Sequence, residues 1–109
     1  MQRIERVFAP SAEERASFIS EGVLEIPEGV TVIGEDSFSD CRELYSVIFP
    51  STLVSVGARA FARCLALEGV EFNDGLEEIG EDAFAGCTAI EEIEIPASVT
   101  FIGRSAFQC

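Results

Sequence analysis

Cysteine is the residue type in this chain whose spacing most invites a chemical explanation. Cys41, Cys64 and Cys87 recur at one constant interval, and a fourth cysteine, Cys109, ends the sequence. A zinc site needs ligands that converge on one point, often through a Cys-x-x-Cys pair, whereas cysteines at this spacing would form a line. Parallel, inward-pointing side chains also fit the dihedral angle of a disulfide poorly. We therefore expect reduced cysteines that pack in a core, with no metal and no other cofactor.

Carboxylates are the other group with catalytic potential, since the chain has 20 acidic residues. Paired carboxylates can hydrolyse glycosides, but here the acidic residues recur along the chain instead of converging on a pocket. The chain has no histidine, which removes the usual base that activates a serine or cysteine nucleophile. Its glycines do not form the G-x-G-x-x-G pattern of a dinucleotide loop. The sequence thus predicts no catalytic residues and a protein that is not an enzyme.

The charge balance limits the classes of partner. The formal net charge is −13, which opposes binding to nucleic acid and to anionic membrane surfaces. It permits a basic protein partner or Ca²⁺, and it is equally consistent with acidity that only keeps the protein soluble. No apolar run approaches the roughly 18 residues of a membrane helix, and residues 1–18 lack the apolar core of a secretory signal peptide.

The same residue types return at every twenty-third position, which sets the architecture. One column is always glycine, a second is always phenylalanine, and others are always aliphatic. Such a register over most of a chain indicates a repeat protein whose units bury their apolar faces on one another. The clearest columns are Gly34, Gly57, Gly80, Gly103; Phe38, Phe61, Phe84, Phe107; and Ile33, Val56, Ile79, Ile102.

Each repeat is predicted to contain a short strand, a glycine turn and one or two helical turns. Alternation around residues 47–49 indicates a strand with one buried face, and the proline that follows lacks the N–H for a longer ladder. The glycine is expected at a tight turn or at positive φ, and helical turns are expected from residue 36 onward. We place the units at 21–43, 44–66, 67–89 and, as a partial unit, 90–109.

Charged residues one repeat apart predict ion pairs that fix the register between units. Arg59 is one repeat from both Asp36 and Asp82, and Arg63 is one repeat from Asp40.

The unit L-x-x-V-x-F-P-x-x-V-x-x-I-G-x-x-A-F-x-x-C closely resembles the BspA-like, or treponemal-type, leucine-rich repeat. The resemblance covers residues 21–109, with Ile-Gly, Ala-Phe and Cys in fixed register. It implies an α/β repeat fold, a right-handed leucine-rich-repeat solenoid of about four units with a strand-lined face. It also implies a protein-binding module of the kind displayed on bacterial surfaces and used in adhesion. On localisation the resemblance suggests the cell surface, although this chain shows no signal peptide.

The outward side of the predicted strands provides the candidate binding face. If Val47 points inward, alternate residues point outward. Acidic residues cluster on what would be adjacent strands, beside a small apolar anchor of the kind that interfaces use. A solvated face without a partner is the alternative interpretation. The candidate ligand-binding residues are Glu25, Tyr45, Ile48, Glu71, Glu92 and Glu94.

The two ends of the chain break the repeat pattern. Residues 1–20 are out of register and are predicted to form an N-terminal cap segment with a short helix, begun by Ser11 and a capping box with Glu14. Phe18 and Ile19 would cover the first repeat. The C-terminal end has no such cap, so we expect either a truncated chain or an end-to-end homodimer. The dimer would form through the region of Ile90, Ile93, Ile95 and Cys109.

Three functional interpretations remain open from the sequence. The first is a non-enzymatic protein–protein binding module, with adhesion to host or neighbouring-cell proteins as its setting. The second is an intracellular scaffold or assembly module that acts through its uncapped C-terminal end. The third is a spacer fragment of a longer solenoid.

Overall fold

The computed structural model describes residues 4–109, which wind into a β-solenoid of about four turns. One α-helix and nine short strands are assigned in this range. In chain order the elements are β1 (Val7–Phe8), α1 (Ala12–Phe18), β2 (Ile19–Ser20), β3 (Val23–Glu25), β4 (Val32–Ile33), β5 (Ser46–Ile48), β6 (Ser55–Val56), β7 (Gly69–Glu71), β8 (Glu78–Ile79) and β9 (Phe101–Ile102).

The strands form two sheets that run along the solenoid. The four-stranded sheet has the order β2-β3-β5-β7, and the five-stranded sheet has the order β1-β4-β6-β8-β9. Pairing is parallel except between β2 and β3. The register joins positions that are one repeat apart, as in Leu24 with Val47 and Val47 with Val70. The sequence period and the physical stacking are therefore the same repeat, which confirms the predicted solenoid.

The regular spacing of the Ile-Gly glycines has a different cause from the one predicted. None of Gly34, Gly57, Gly80 and Gly103 is among the residues with positive φ. Instead, a Cβ at Gly57 would lie 2.6 Å from the backbone oxygen of Ile33. The glycine is needed because successive coils approach too closely at this point for any side chain.

The segments after these glycines are hydrogen-bonded turns, and the expected helical turns are not formed. Asp36 and Asp40 adopt left-handed φ values of 57° and 59°, which a helix does not contain. Their N–H groups, and that of Phe38 between them, donate to carbonyls of the next repeat, at 2.8 Å from Phe38 to Ala60. A helix would use these N–H groups for hydrogen bonds within its own segment. In the turns they bond to the next coil instead, and they form a third ladder between coils.

Phenylalanine rings form the centre of the core. Phe38 and Phe61 stack with ring centroids 5.5 Å apart and planes 7° apart, and Phe61 and Phe84 stack at 5.3 Å and 6°. All three rings are almost completely buried. Aliphatic columns around them, including Leu44 and Leu67, are equally buried, so each coil contributes one layer to a continuous core.

Two of the predicted ion pairs form along the turns. Arg59 Nε lies 3.1 Å from Asp36 Oδ1, and Arg63 Nε lies 2.8 Å from Asp40 Oδ1. Arg59 thus pairs with the preceding repeat, not with Asp82. The Arg63 guanidinium lowers the pKa of Asp40, so this pair contributes at neutral pH and its contribution is lost as the pH falls through that lowered pKa.

The N-terminal segment joins both sheets. Ser11 Oγ accepts a hydrogen bond from Glu14 N, and Ser11 N donates to the Glu14 carboxylate, so the predicted capping box is present. Phe18 packs edge-on to Phe8, which in turn lies 6.0 Å from Phe38. Residues 1–3 of the predicted cap lie outside the described residues.

Candidate functional site

The outward side of the four-stranded sheet carries Glu25, Ile48 and Glu71, in the outward positions that strand alternation predicts. Val47 is 2% exposed and Phe49 is 8% exposed, whereas Ile48 between them is 51% exposed. Glu25, Ile48 and Glu71 are aligned across β3, β5 and β7. An apolar side chain therefore stands between two carboxylates on the surface that we call the strand face.

Tyr45 extends the strand face at the start of β5. Its ring is 53% exposed. Its pKa is raised because the Glu68 carboxylate lies beside the hydroxyl. Glu68 was not among the residues predicted from sequence, because its position, one residue before β7, is not set by strand alternation alone.

A shallow hollow lies on the strand face over Gly69. It has a volume of about 310 Å³, and its walls include Ile48, Glu68, Glu71 and Glu92. Gly69 contributes no side chain, and a Cβ there would lie 2.9 Å from Ser46 Cβ. The hollow thus combines one apolar wall with three carboxylates, an arrangement suited to a long basic side chain with an aliphatic stem.

Glu92 and Glu94 do not lie on a paired strand, which corrects the predicted sheet. β7 is the last strand of the four-stranded sheet. Residues 91–95 make no backbone hydrogen bond to residues 68–72 among the bonds found in residues 4–109. In-register pairing at the offset of one repeat would place Glu91 opposite Glu68 and Glu94 opposite Glu71. Like charges directly opposite one another destabilise a sheet, which explains why the ladder stops here while the five-stranded sheet continues to β9.

A gap opens between β7 and the segment that fails to pair with it. Its volume is about 410 Å³, and its lining includes Val70, Phe72, Ile93 and Ile95 together with Glu71 and Glu94. We refer to it as the β7 gap. Sequence reasoning missed it because period alone predicts another strand. The available signal in the sequence was that glutamates lie one repeat apart in these two segments and would therefore oppose one another in a paired sheet.

The charge of the chain between Cys64 and Gly103 has one sign. Between Cys64 and Gly103 the sequence has ten acidic residues and no Lys or Arg. Within residues 4–109, no group of three or more His, Cys, Asp or Glu side chains is placed to hold a metal ion. The carboxylates are spread along a surface, where they can meet several separate positive charges.

The cysteine column lies in the core. Cys41, Cys64 and Cys87 are buried and free, and Cys109 is free and exposed. The thiols of Cys64 and Cys87 donate to the carbonyls of Phe38 and Phe61 at 3.1 and 3.0 Å. These hydrogen bonds satisfy both thiols as donors, so they act as packing groups.

The ionisation of the buried thiols agrees with this role. The neighbouring Cys87 thiol and burial raise the pKa of Cys64, and burial raises the pKa of Cys41. Cys87 is only 2% exposed. None of the three thiols is therefore both ionised and open to attack.

Thiol labelling checks this assignment. In the native protein at mildly alkaline pH, we expect an aromatic disulfide reagent to modify one thiol per chain, that of Cys109, because attack requires an accessible thiolate. In denaturant, all four thiols should react. A native Cys109→Ser variant should show no rapidly modified thiol. Rapid modification of two or more thiols in the native wild-type chain, or of any thiol in the native variant, would contradict the assignment.

Comparison with known proteins gives the family. The sequence profile of the BspA type Leucine rich repeat region matches residues 18–109, in 6 copies. The chain belongs to the BspA-type leucine-rich repeat family. Among curated proteins, none matches it significantly.

Solved structures of leucine-rich repeat proteins superpose on most of the chain. A leucine rich cell surface protein from Faecalibacterium prausnitzii is 39% identical, with a TM-score of 0.76 over 80% of this chain and 23% of its own length. A leucine-rich repeat protein from Bacteroides ovatus is 33% identical, with a TM-score of 0.75 over 79% of this chain and 25% of its own. The Leucine Rich Repeat protein of T. pallidum is 32% identical, with a TM-score of 0.76 over 79% of this chain and 42% of its own.

The chain thus spans less than half the length of each of these relatives. Within residues 4–109, no helix has the length and apolar character needed to cross a bilayer. Membership of the BspA-type family identifies the chain as a leucine-rich repeat module.

Proposed function

We propose that this module binds a partner protein through its strand face, without catalysis, by receiving a basic segment of that partner. The observation that carries the proposal is the hollow over Gly69, where Ile48 and three carboxylates surround a floor without a side chain. A Lys or Arg side chain would lay its aliphatic stem on Ile48 and its charge among Glu68, Glu71 and Glu92. Glu25 and Glu94 extend the same charge, and Tyr45 supplies an exposed aromatic edge.

The biological setting that we propose is attachment to host or neighbouring-cell proteins. One relative is described as a cell surface protein, which supports this setting. Complementary charge of the partner would mainly accelerate encounter and select the partner, so binding should weaken as ionic strength rises.

Reversing the charge of the strand face tests the proposal. A Glu71, Glu92, Glu94→Lys variant should lose binding to extracellular-matrix proteins by at least about tenfold, since close charge pairs at interfaces couple by more than about 1.4 kcal/mol. The measurement is retention of matrix proteins on the immobilised chain, followed by titration of the protein retained. A Glu5, Glu13, Glu78→Lys variant carries the same change in net charge on other exposed surfaces and should bind normally.

Equal loss in both variants would mean that binding depends only on net charge and would overturn the assignment to the strand face. Retention of no partner at all would favour a spacer role.

End-to-end assembly is a second candidate, favoured by apolar exposure in the last coil. Phe101 is 56% exposed, Ile102 is 46% exposed and Ile95 is 38% exposed, whereas Ile90 and Ile93 are half-buried. Self-association that survives the strand-face variant but is lost on Phe101→Glu would support this candidate. Sedimentation of the purified chain distinguishes the two.

A further inference from the structure

We propose that the β7 gap accepts an extended basic segment of the partner as an added β-strand. This inference rests on the proposed function, because it describes how the same basic partner would bind beside the strand face.

The backbone of β7 is free along the edge that faces the gap. The N–H groups of Glu68 and Gly69 both donate to the Tyr45 carbonyl, at 2.9 and 3.2 Å, on the side of β5. Successive residues of a strand direct their N–H and C=O groups to opposite edges, so those of Val70 face the gap. Residues 91–95 provide no backbone bond to them in the part of the chain that is described. An unpaired strand edge is a template for another strand.

The walls of the gap suit an extended chain. Its volume is about 410 Å³. Val70 and Phe72 on one side and Ile93 on the other are half-buried. In strand addition, main-chain hydrogen bonds provide affinity and pockets for alternate side chains provide specificity.

The charge of the gap selects the occupant. Carboxylates of Glu71, Asp74, Glu92 and Glu94 line it, and the lining contains no basic residue. A second copy of this chain, with a net charge of −13, would be repelled. A strand with Lys or Arg at alternate positions would instead separate and neutralise the glutamates that keep residues 91–95 from pairing with β7.

The chain itself offers a matched pair of variants for the test. Val70→Pro removes the N–H that faces the gap, and because the β5–β7 ladder uses the opposite edge of β7, this proline should leave the sheet paired. Val70→Ala keeps the N–H and shortens the same side chain. Both variants carry the same carboxylates as the wild-type chain, so they differ in whether β7 can donate a hydrogen bond to an added strand.

The probe is an acetylated, amidated peptide of alternating lysine and valine, titrated against the full chain. We expect the wild-type chain and the Val70→Ala variant to bind it, and the Val70→Pro variant to bind it about fivefold more weakly, since one net backbone hydrogen bond is lost. Hydrogen exchange of the Val70 amide should slow when the peptide binds to the wild-type chain.

Three results would overturn the strand inference. These are equal binding by the Val70→Pro and Val70→Ala variants, binding that leaves Val70 exchange unchanged, and no binding to the wild-type chain. In the first two cases the proposed function still stands if the charge-reversed strand-face variant loses the peptide. If that variant still binds both the peptide and the matrix protein, the proposed function is overturned.

Discussion

Replacing Phe61 by alanine is expected to lower the free energy of unfolding by about 3–5 kcal/mol, the usual cost of deleting a buried phenylalanine ring. Phe61 is fully buried between Phe38 and Phe84 and also packs edge-on to Phe49, with ring centroids 6.0 Å apart. The stacked neighbours belong to the adjacent coils, whose spacing is fixed by backbone ladders on three sides. The cavity therefore cannot collapse, and the cost should lie toward the upper end of the range.

Urea unfolding followed by far-ultraviolet circular dichroism measures this effect, with the slope of the transition as a check that the denatured state is unchanged. Phe101→Ala is the matched control. Phe101 is 56% exposed, so its loss should cost less than about 1 kcal/mol. Similar costs for the two variants would contradict a core built on the phenylalanine column.

Replacing Gly80 by alanine is expected to destabilise the fold by about 3 kcal/mol, the upper end of what overpacking costs. A Cβ at Gly80 would lie 2.7 Å from Ala58 N and 2.9 Å from Gly57 C. Both contacts are backbone atoms of the preceding coil, which cannot move without disturbing the Gly80 N–H bond to Val56 O at 2.8 Å. The substitution should therefore separate two coils.

Gly75→Ala is the control for this substitution. Its Cβ would meet Asn73 Nδ2 at 3.7 Å and Ser51 O at 3.8 Å, which are ordinary contacts, and its φ is not positive. Alanine there should be neutral or slightly stabilising, because it restricts the unfolded chain. Thermal unfolding of both variants gives the comparison. A tolerated Gly80→Ala would show that the glycine column is not required for close approach of the coils.

The sequence determined the solenoid because each repeat specifies the same layer of a stacked core. Columns that recur once per repeat specify both the length of a coil and which residues meet between coils. Alternation then placed Val47 inside and Ile48 outside, and Ser11 with Glu14 specified the start of α1. These features depend on residues that are near in sequence or at a fixed offset, so pattern alone is sufficient to predict them.

The turns after each glycine could not be assigned by the same means. Phe38 and Cys41 are three residues apart, which favours a helix when only local spacing is considered. The structure instead directs alternate N–H groups of that segment to the next repeat. Whether a turn bonds within itself or to its neighbour depends on the distance between coils, and that distance becomes fixed only when the core has packed.

The candidate site was only partly predictable for a related physical reason. The sequence by itself determined the outward positions of Glu25, Ile48 and Glu71, since these follow from alternation on paired strands. Only the tertiary structure decided that pairing ends at β7, that Gly69 leaves a hollow and that Glu68 joins it through Tyr45. Pairing of the last strand is a balance between backbone hydrogen bonds and repulsion among glutamates that meet only after the chain has coiled, and a repeat pattern does not contain that balance.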